Sequence, residues 1–304
     1  MTGLIAVDAG QTGIRLRFVD AQQSIEGAAK GIITARPLMP QLARAIIDFT
    51  RQHELCPTGV GVGCTGLVVP HADELLTLLD GVGAVKVAVA HNAVTNYLAA
   101  LGPHPGVLLS GDTGAVVLAV GAAGVARVDG WGYLVGDAGS GHWIGRAGIV
   151  AALRAYDGRG QSTVLLDRLR QRFGDPESAY IALQSDPDWV SQLTSFAEAV
   201  EDAASAGDVV AGRILDEAAA ELSESVVTAL RRVGMMHGEP PRVCATGAVL
   251  ASPRIRQRFL SYLRLHWPTI ELTEPLGDGV EGALQALSLP STHPLLQLVS
   301  RAHA

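Results

Sequence analysis

The six residues from 8 to 13 place the strongest constraint on how this chain can fold. They read Asp-Ala-Gly-Gln-Thr-Gly and separate two strand-like runs, residues 4–7 and 14–19, of which the second alternates apolar and polar side chains. Such alternation is typical of a half-buried strand, so the pattern predicts a β-hairpin. Its turn can aim backbone N–H groups at an anion, with a hydroxyl from Thr12 and a magnesium-directed carboxylate from Asp8. It can equally be an ordinary hairpin whose glycines supply positive φ, with the acid as an Asx-turn residue.

A second stretch of the chain repeats this pattern. Residues 107–110 and 115–120 read as strands, and the turn between them, Gly-Asp-Thr-Gly at 111–114, again combines an acid, a threonine and glycines. The Gly-Pro-His-Pro-Gly segment at 102–106 breaks the chain just before it. Two such hairpins imply two similar halves with a crossing at this segment.

We therefore expect two domains in the 304 residues. The first is predicted over residues 1–105 and the second, with a helical insertion, over 106–293. The C-terminal segment 294–304 is expected to pack back on the first domain, because its leucines at 295, 296 and 298 need cover.

Periodicity predicts a β-β-β-α-β-α-β-α order in the first half and helices without a sheet between residues 146 and 238. The individual predictions are a strand or irregular segment at 25–34, helices at 40–54, 72–79 and 92–101, a strand and loop at 60–69, strands at 85–90, 242–245 and 269–272, a helix from Ser252 and a last helical region from Gly279.

Charge and composition exclude several classes of function. The net charge of −7 and the absence of a basic run argue against nucleic acid or an anionic membrane as a partner. The longest apolar stretch, residues 116–126, is too short for a membrane span, so we expect a soluble protein. Three scattered cysteines without CxxC spacing suggest neither a disulfide framework nor a zinc or iron–sulfur site, and they predict a reduced, cytoplasmic location. With only Lys30 and Lys86, the chain has no GxxxxGK[ST] phosphate loop.

Five segments, in order, resemble the N-acetylglucosamine kinase and BadF/BadG/BcrA/BcrD ATPase family. They are the two hairpins and residues 130–146, 244–250 and 280–284, so the resemblance spans nearly the whole chain. The block at 130–146 is the most specific and is similar to the family pattern GWGxxxGDEGSGxWIGR. The resemblance implies an α/β protein with the actin/hexokinase-like ATPase fold: two RNase H-like domains with ATP and sugar in the interdomain cleft.

For the nucleotide, the resemblance implies that the two hairpins grip the phosphates, with Asp8 on the magnesium side. Thr246 and Gly247 are implied to pass close to the adenosine. The phosphate contacts implied in the hairpins are Gly10, Gln11, Thr12, Thr113 and Gly114.

For the sugar, the block at 130–146 combines an aromatic, glycines, a carboxylate and a hydroxyl, and by family analogy Asp137 contacts the sugar. The alternative is a loop that ends in a helix start at Ser140 with Trp143 in the core. His142 is interpreted as a surface or helix-start histidine rather than a catalytic base. The remaining sugar contacts implied are Trp131, Gly132 and Ser140 in this block and Thr65 and Gly66 in an earlier turn, where Thr65 can also be a simple turn residue.

The departures from the family pattern concern the catalytic residue. At Asn92 relatives carry an Asp that acts as general base, and an amide cannot take the proton. Asn92 can still hydrogen-bond the sugar, or serve only as a helix N-cap. Asp112 is an added acid in the second hairpin and can supply the missing charge as metal ligand or base. The other changes are Ala9, Gln11 and Gly13 for Gly, Gly and Lys, Ala138 for the Glu of DEGS, and Thr246-Gly247 for Gly-Gly.

The prediction is an ATP- and Mg²⁺-dependent kinase that phosphorylates the 6-hydroxyl of an amino sugar, N-acetylglucosamine or glucosamine, and forms a homodimer. The alternative is a catalytically weak or inactive homologue that binds sugar or nucleotide. An activator of a radical dehydratase is disfavoured, because no paired cysteines exist to hold its iron–sulfur cluster.

Overall fold

The computed structural model describes residues 3–304 as an α/β protein with two sheets. The strands are β1 Gly3–Ala9, β2 Ile14–Val19, β3 Ser24–Ala29, β4 Pro57–Cys64, β5 Lys86–His91, β6 Gly106–Gly111, β7 Ala115–Gly121, β8 Gly124–Asp129, β9 Val243–Thr246 and β10 Val299–His303. The helices are α1 Leu38–Gln52, α2 Ala72–Leu78, α3 Asn92–Leu101, α4 Gly141–Tyr156, α5 Leu165–Phe173, α6 Pro176–Ser185, α7 Trp189–Ser205, α8 Val209–Arg232, α9 Pro253–Arg264 and α10 Gly279–Ser288, with short 3₁₀ turns at Ala248–Ala251 and Pro294–Leu298.

The chain divides into two compact units. The first unit holds the described residues up to Leu108 together with Val120–Val125 and Glu274–Ala304, and the second unit holds Leu109–Ala119 and Ala126–Thr273. Among residues 3–304, no helix has both the length and the apolar content needed to cross a membrane.

The sheet of the first unit has the order β10-β5-β4-β1-β2-β3. Strands β1, β4 and β5 are parallel, whereas β2, β3 and β10 pair antiparallel with their neighbours. Residues Ile14, Leu16 and Phe18 of β2 are buried, as the alternation predicted. The C-terminal strand β10 pairs with β5, and Leu295 just before it is fully buried.

Two glycines on β4 let helices approach the sheet closely. A Cβ at Gly61 would lie 2.0 Å from the carbonyl oxygen of Ala283 in α10, and one at Gly63 would lie 2.2 Å from Oγ1 of Thr95 in α3. Helices α3 and α10 therefore pack directly against the strand that ends at Cys64.

The second sheet has the order β8-β7-β6-β9, and the second unit adds helices α4 to α9. The apolar stripe that the spacing predicted on α8 is buried, with Ile214, Ala218, Leu222 and Val226 among the core residues.

The predicted order of elements in the first half and the helical middle are confirmed. The predicted strand at 269–272 is wrong: the segment contributes one isolated bridge, from Leu272 to Val243. Strand β8 was not predicted, because the apolar run at 116–126 continues through the turn that separates β7 from β8.

Candidate functional site

The carboxyl ends of β1, β4 and β5 lie level with one another. Ala9 is opposite Cys64, Cys64 is opposite His91, and the N–H of Thr65 donates to the carbonyl of Ala9 at 3.0 Å. We call this the carboxyl edge of the first unit. Ligands of open α/β sheets bind outside such an edge, and the predicted residues Asp8, Thr65 and Asn92 meet there.

In the first hairpin, Asp8 lies in β1 directly opposite Arg15 of β2. The Arg15 guanidinium donates to Asp8 Oδ2 at 2.6 Å, and this hydrogen bond raises the pKa of Arg15. The interpretation of Asp8 as an Asx-turn residue is therefore wrong, since its carboxylate is taken by a side chain across the hairpin. At the tip, Gln11 and Thr12 are exposed.

The conformation of this turn differs from one expectation. Neither Gly10 nor Gly13 has a positive φ, so the idea that they supply left-handed backbone is wrong. The N–H of Gly10 donates to the carbonyl of Gly13 at 2.9 Å, which commits that donor within the turn. The tip also packs against the next loop: a Cβ at Gly31 would lie 1.9 Å from the carbonyl oxygen of Gln11.

The start of α10 closes the other side of Asp8. A Cβ at Gly279 would lie 2.8 Å from Asp8 Oδ2, so only a glycine fits there without a shift. Asp278 caps α10 by accepting the N–H of Glu281 at 3.1 Å, and it pairs with Arg17 at 3.1 Å and Arg15 at 3.7 Å. Asp8 thus belongs to a network of alternating charges.

Position 92 is the first residue of α3 and not its cap. The cap is His91, whose Nδ1 accepts the N–H of Ala93 at 3.1 Å, so the interpretation of Asn92 as the N-cap is wrong. The Asn92 side chain is half-buried and makes no hydrogen bond to residues 3–304. Beside it, Thr65 is half-buried and Gly66 has a φ of 69°. Burial raises the pKa of the Cys64 thiol to about 11, so this thiol is protonated and not a nucleophile.

The second hairpin is held by backbone groups. The carbonyl of Asp112 accepts the N–H of Gly141 at 2.8 Å, and the carbonyl of Thr113 accepts the N–H of His142 at 3.2 Å. The Asp112 carboxylate accepts the N–H of Ala248 at 2.8 Å, immediately after the predicted Thr246-Gly247 pair. The first turn of α4 and the start of the 3₁₀ turn therefore fix this hairpin from two sides.

The predicted sugar loop folds around two carboxylates. Asp129, which sequence reasoning missed, accepts the N–H groups of Asp137 at 2.8 Å and Ala138 at 2.9 Å. Asp137 has a φ of 58°, is 8% exposed, and accepts the N–H of Gly132 at 3.1 Å. Its carboxylate also packs on the second hairpin, because a Cβ at Gly114 would lie 2.6 Å from Asp137 Oδ2. Burial is the main cause that raises the pKa of Asp137.

The remaining residues of this block take different positions. Ser140 is fully buried and caps α4 by accepting the N–H of Trp143 at 3.2 Å, as the helix-start alternative predicted. That alternative is wrong about Trp143, which is half-buried and not in the core. Trp131 is 63% exposed and stacks under the Arg127 guanidinium, 4.2 Å from its ring centroid. His142 lies in the first turn of α4, as the helix-start interpretation predicted, but its side chain is buried and not on the surface. Burial, with a smaller effect of Arg146, lowers its pKa.

A cavity of about 490 Å³ opens next to the second hairpin. Asp112 and Thr113 belong to its lining, and the other lining residues come from α4, α7, α8 and the segment that starts at Ala248. The lining is largely apolar, with Ile144, Leu215, Val249 and Ile255, and it also includes three acids of α7, Glu198, Glu201 and Asp202. No sequence motif marks these helix residues, so the cavity was not predicted.

The described residues fit a magnesium ion that arrives with a nucleotide. Among residues 3–304, no group of three or more His, Cys, Asp or Glu side chains could hold a metal ion. Protein sites for Mg²⁺ commonly supply one or two carboxylates and leave the other positions to phosphates and water. Asp8 is a carboxylate at the carboxyl edge, and its Oδ2 is bound by the Arg15 guanidinium at 2.6 Å.

The chain is similar to known kinases in sequence and in fold. The chain is 29% identical over 204 residues to the N-acetylmuramic acid/N-acetylglucosamine kinase of Clostridium acetobutylicum, and the match covers 66% of each chain, slightly less than two thirds of that relative. A solved structure of a candidate N-acetylglucosamine kinase from Chromobacterium violaceum matches with a TM-score of 0.73 and 23% identity, covering 94% of this chain and 99% of that one.

The ROK hexokinase of Thermus thermophilus matches with a TM-score of 0.56 and 18% identity, covering 95% and 99% of the two chains. The fold is thus the actin/hexokinase-like α/β fold that the sequence predicted. The model of the BadF/BadG/BcrA/BcrD ATPase family matches residues 7–286. Because this match covers most of the chain, the protein belongs to the BadF/BadG/BcrA/BcrD ATPase family.

Proposed function

We propose that this protein is an ATP- and Mg²⁺-dependent kinase that phosphorylates the 6-hydroxyl of an amino sugar, N-acetylglucosamine or glucosamine. The observation that carries the proposal is the second hairpin, which is fixed by backbone hydrogen bonds and lines a cavity of about 490 Å³. A rigid turn beside an apolar cavity suits the phosphate and nucleoside parts of one nucleotide. The name of the Clostridium relative supports an amino sugar as the acceptor.

In the second unit, Thr113 and Gly114 contact phosphate, and the cavity takes the nucleoside close to Thr246 and Gly247. Glu201 already accepts the hydroxyl of Ser252 at 2.6 Å, so Glu198 and Asp202 are the α7 acids of the lining that remain for ribose hydroxyls. The sugar contacts proposed in this unit are Trp131, Gly132, Asp137 and Ser140.

In the first unit, Asp8 faces the magnesium ion, which neutralises developing phosphate charge when it is bound. The tip of the first hairpin, Gly10 to Thr12, contacts phosphate. Thr65, Gly66 and Asn92 contact the sugar, and the Asn92 amide supports this role because it makes no hydrogen bond to residues 3–304. The homodimer and the cytoplasmic location stay predictions.

The proposed catalytic residues lack a carboxylate at position 92 to remove the proton of the sugar hydroxyl. Asn92 cannot act as a base, and loss of a general base costs about 10²- to 10⁴-fold in rate. Phosphoryl transfer depends mainly on positioning and charge neutralisation, so a slow kinase is still expected. Asp112 is proposed as base or metal ligand, with its Oδ1 already bound to the Ala248 N–H.

The test is a coupled ADP-release assay with N-acetylglucosamine, glucosamine and N-acetylmuramic acid, each with Mg²⁺ and with Mn²⁺. We expect release above a protein-free control for at least one sugar, and no release with the 6-deoxy form of that sugar. Mass spectrometry of the product then identifies the phosphorylated sugar. Release that persists with the 6-deoxy sugar would contradict the 6-hydroxyl as acceptor.

Asn92 favours a second candidate, a sugar- or nucleotide-binding protein without catalysis. In a slow kinase, Asn92→Asp restores a carboxylate at the carboxyl edge and should raise turnover about tenfold. Binding of sugar and ADP in calorimetry, with background turnover in both the wild type and Asn92→Asp, would establish the binding protein instead.

A further inference from the structure

We infer that Arg15 is a phosphate-binding residue for the nucleotide, which Asp8 holds in place until the nucleotide and its magnesium ion arrive. This inference rests on the proposed nucleotide-binding function. Arg15 would be the positively charged side chain that the first hairpin supplies to the phosphate, because the turn from Asp8 to Gly13 contains no basic residue.

The position of Arg15 supports this role. It lies opposite Asp8 in the β1–β2 ladder, one pair away from the last pair before the turn. Its side chain shares a face of the sheet with Asp8, since the two groups meet at 2.6 Å, and it is 56% exposed. A guanidinium at this place can reach a phosphate outside the carboxyl edge and bind it with two parallel hydrogen bonds.

The neighbouring arginine shows what a structural ion pair looks like in this network. Arg17 is 24% exposed and lies between two carboxylates, Glu26 at 2.9 Å and Asp278 at 3.1 Å. Arg15 has one short contact, to Asp8, and a longer one of 3.7 Å to Asp278. Arg15 can therefore change partner by giving up one hydrogen-bonded carboxylate, whereas Arg17 would have to give up two.

The partner of Arg15 is itself the proposed magnesium-facing residue. While Asp8 is unscreened, it competes with phosphate for the guanidinium. If Asp8 held a Mg²⁺ ion, its negative charge would be neutralised, the competition would weaken and Arg15 would become available to the phosphate. Mg²⁺ and Arg15 should consequently reinforce each other in nucleotide binding.

The experiment measures ADP binding by calorimetry, with and without Mg²⁺. Arg15→Ala should weaken Mg²⁺–ADP binding about tenfold, and Arg15→Lys should recover part of the loss, because an ammonium keeps the charge but not the fork. The matched control is Arg44→Ala, which removes an equal charge from a pair with Asp48 on α1, where the Arg44 side chain is 85% exposed. It should change affinity by less than about twofold.

An exchange of Arg15 from Asp8 to the phosphate predicts that the effects of these variants on ADP affinity depend on Mg²⁺. The loss in Arg15→Ala should be smaller without Mg²⁺, since Asp8 then still competes. Asp8→Asn should tighten Mg²⁺-free ADP binding severalfold, and this gain should vanish in the double variant Asp8→Asn/Arg15→Ala. A purely structural Arg15 would give neither effect.

Three outcomes would overturn the inference. One is an unchanged affinity in Arg15→Ala. Another is a loss carried by Lys30→Ala instead, because Lys30 is exposed and follows the last β3 residue, Ala29, which pairs with Ile14 near the turn. The third is a gain in Asp8→Asn that survives in the double variant. A wild type that binds ADP without turning over any sugar would contradict the kinase and leave Arg15 supported, whereas a wild type that binds no ADP would contradict both.

Discussion

The two hairpins share a sequence pattern but are held by different forces. In the first, the carboxylate of Asp8 is bound by the Arg15 side chain at 2.6 Å, and the tip at Gln11 and Thr12 is exposed. In the second, the carboxylate of Asp112 is bound by the backbone N–H of Ala248, and two carbonyls of the turn accept amides from α4.

This difference separates a fixed element from an exchangeable one. Backbone hydrogen bonds between a turn and a helix start cannot change partner without moving the helix. A partly exposed ion pair contributes little to stability and is readily replaced by another anion. We therefore expect the second hairpin to be a preformed phosphate site and the first to reorganise when nucleotide binds.

The largest expected effect is at Asp112. Asp112→Ala should lower turnover by about 10²- to 10⁴-fold if the carboxylate acts as base or metal ligand. Asp112→Asn is the matched control, because its amide oxygen still accepts the Ala248 N–H while the charge is lost. ADP release and thermal unfolding are measured for both. An active Asn variant would mean that Asp112 only holds the turn.

Gly247→Ala should introduce a steric clash with Gly111 in the second hairpin. Gly247 has a φ of 102°, and a Cβ there would lie 2.3 Å from the carbonyl oxygen of Gly111. Gly247→Ala should therefore lower the free energy of unfolding by about 2 kcal/mol more than Gly207→Ala does. Gly207 has a φ of 92° with nothing within 4 Å, so its substitution isolates the cost of left-handed backbone, about 1 to 2 kcal/mol. Equal losses in urea unfolding would show that the contact with Gly111 relaxes freely.

Asp137 links the fixed hairpin to the sugar loop. Asp137→Asn should weaken sugar binding by about 1.5 to 3 kcal/mol, the range for a hydrogen bond to a charged group, and leave nucleotide affinity nearly unchanged. Calorimetry with the sugar and with ADP tests the split. Equal losses of both affinities would show that Asp137 serves the fold of the second hairpin.

The same substitution has a predictable effect on stability. Burial raises the pKa of Asp137, so the folded state holds its proton at pH values where the unfolded chain has released it. The ionised carboxylate therefore costs stability, and that cost grows as the pH rises from the unfolded pKa through the folded one. Asp137→Asn should be more stable than the wild type at neutral pH, and the difference should disappear below about pH 4.

The sequence predicted the fold well because hairpins, helix spacing and chain breaks are local signals. It also named Asp8, Thr65 and Asn92 as candidate site residues, each at the end of an apolar run, but it did not predict that the three lie at one edge of a sheet. It could not identify Arg15, His91 or Asp129 as partners. Each acts through a contact across strands or across a turn, and such contacts depend on register and on backbone conformation rather than on spacing.

The cavity could not be predicted from the sequence for the same reason. Its lining comes from α4, α7 and α8 and from the segment after Gly247, and these residues become neighbours only when the helices pack.

The alternative prediction that Asn92 caps α3 was wrong by a single residue, because His91 uses its ring nitrogen for the cap. A histidine cap is uncommon, and sequence preference favours Asn.

The smallest expected effect concerns His142, whose N–H holds the second hairpin while its side chain is buried. Its Nε2 has no hydrogen-bond partner within residues 3–304, and Tyr133 and Trp189 cover the ring, with centroids 5.2 and 6.0 Å away. Burial lowers the pKa of His142, so below about pH 6.5 the unfolded chain takes a proton that the folded state resists. His142 therefore lowers the free energy of unfolding as the pH falls. Above the pKa that His142 has in the unfolded chain, this loss of stability is absent.

Two variants separate the titration of His142 from the cost of its unpaired nitrogen. His142→Gln and His142→Phe should both flatten the loss of stability between pH 7 and pH 5, because neither side chain titrates. Only His142→Phe should also raise stability at pH 8, by about 1 kcal/mol, since it removes a buried polar atom without a partner. Urea unfolding at a series of pH values measures both effects. The N–H that binds the Thr113 carbonyl survives in each variant, so ADP affinity should not change. A drop in ADP affinity would mean that the ring, and not only the backbone, fixes the second hairpin, and the contrast between the two hairpins would then rest on side chains in both.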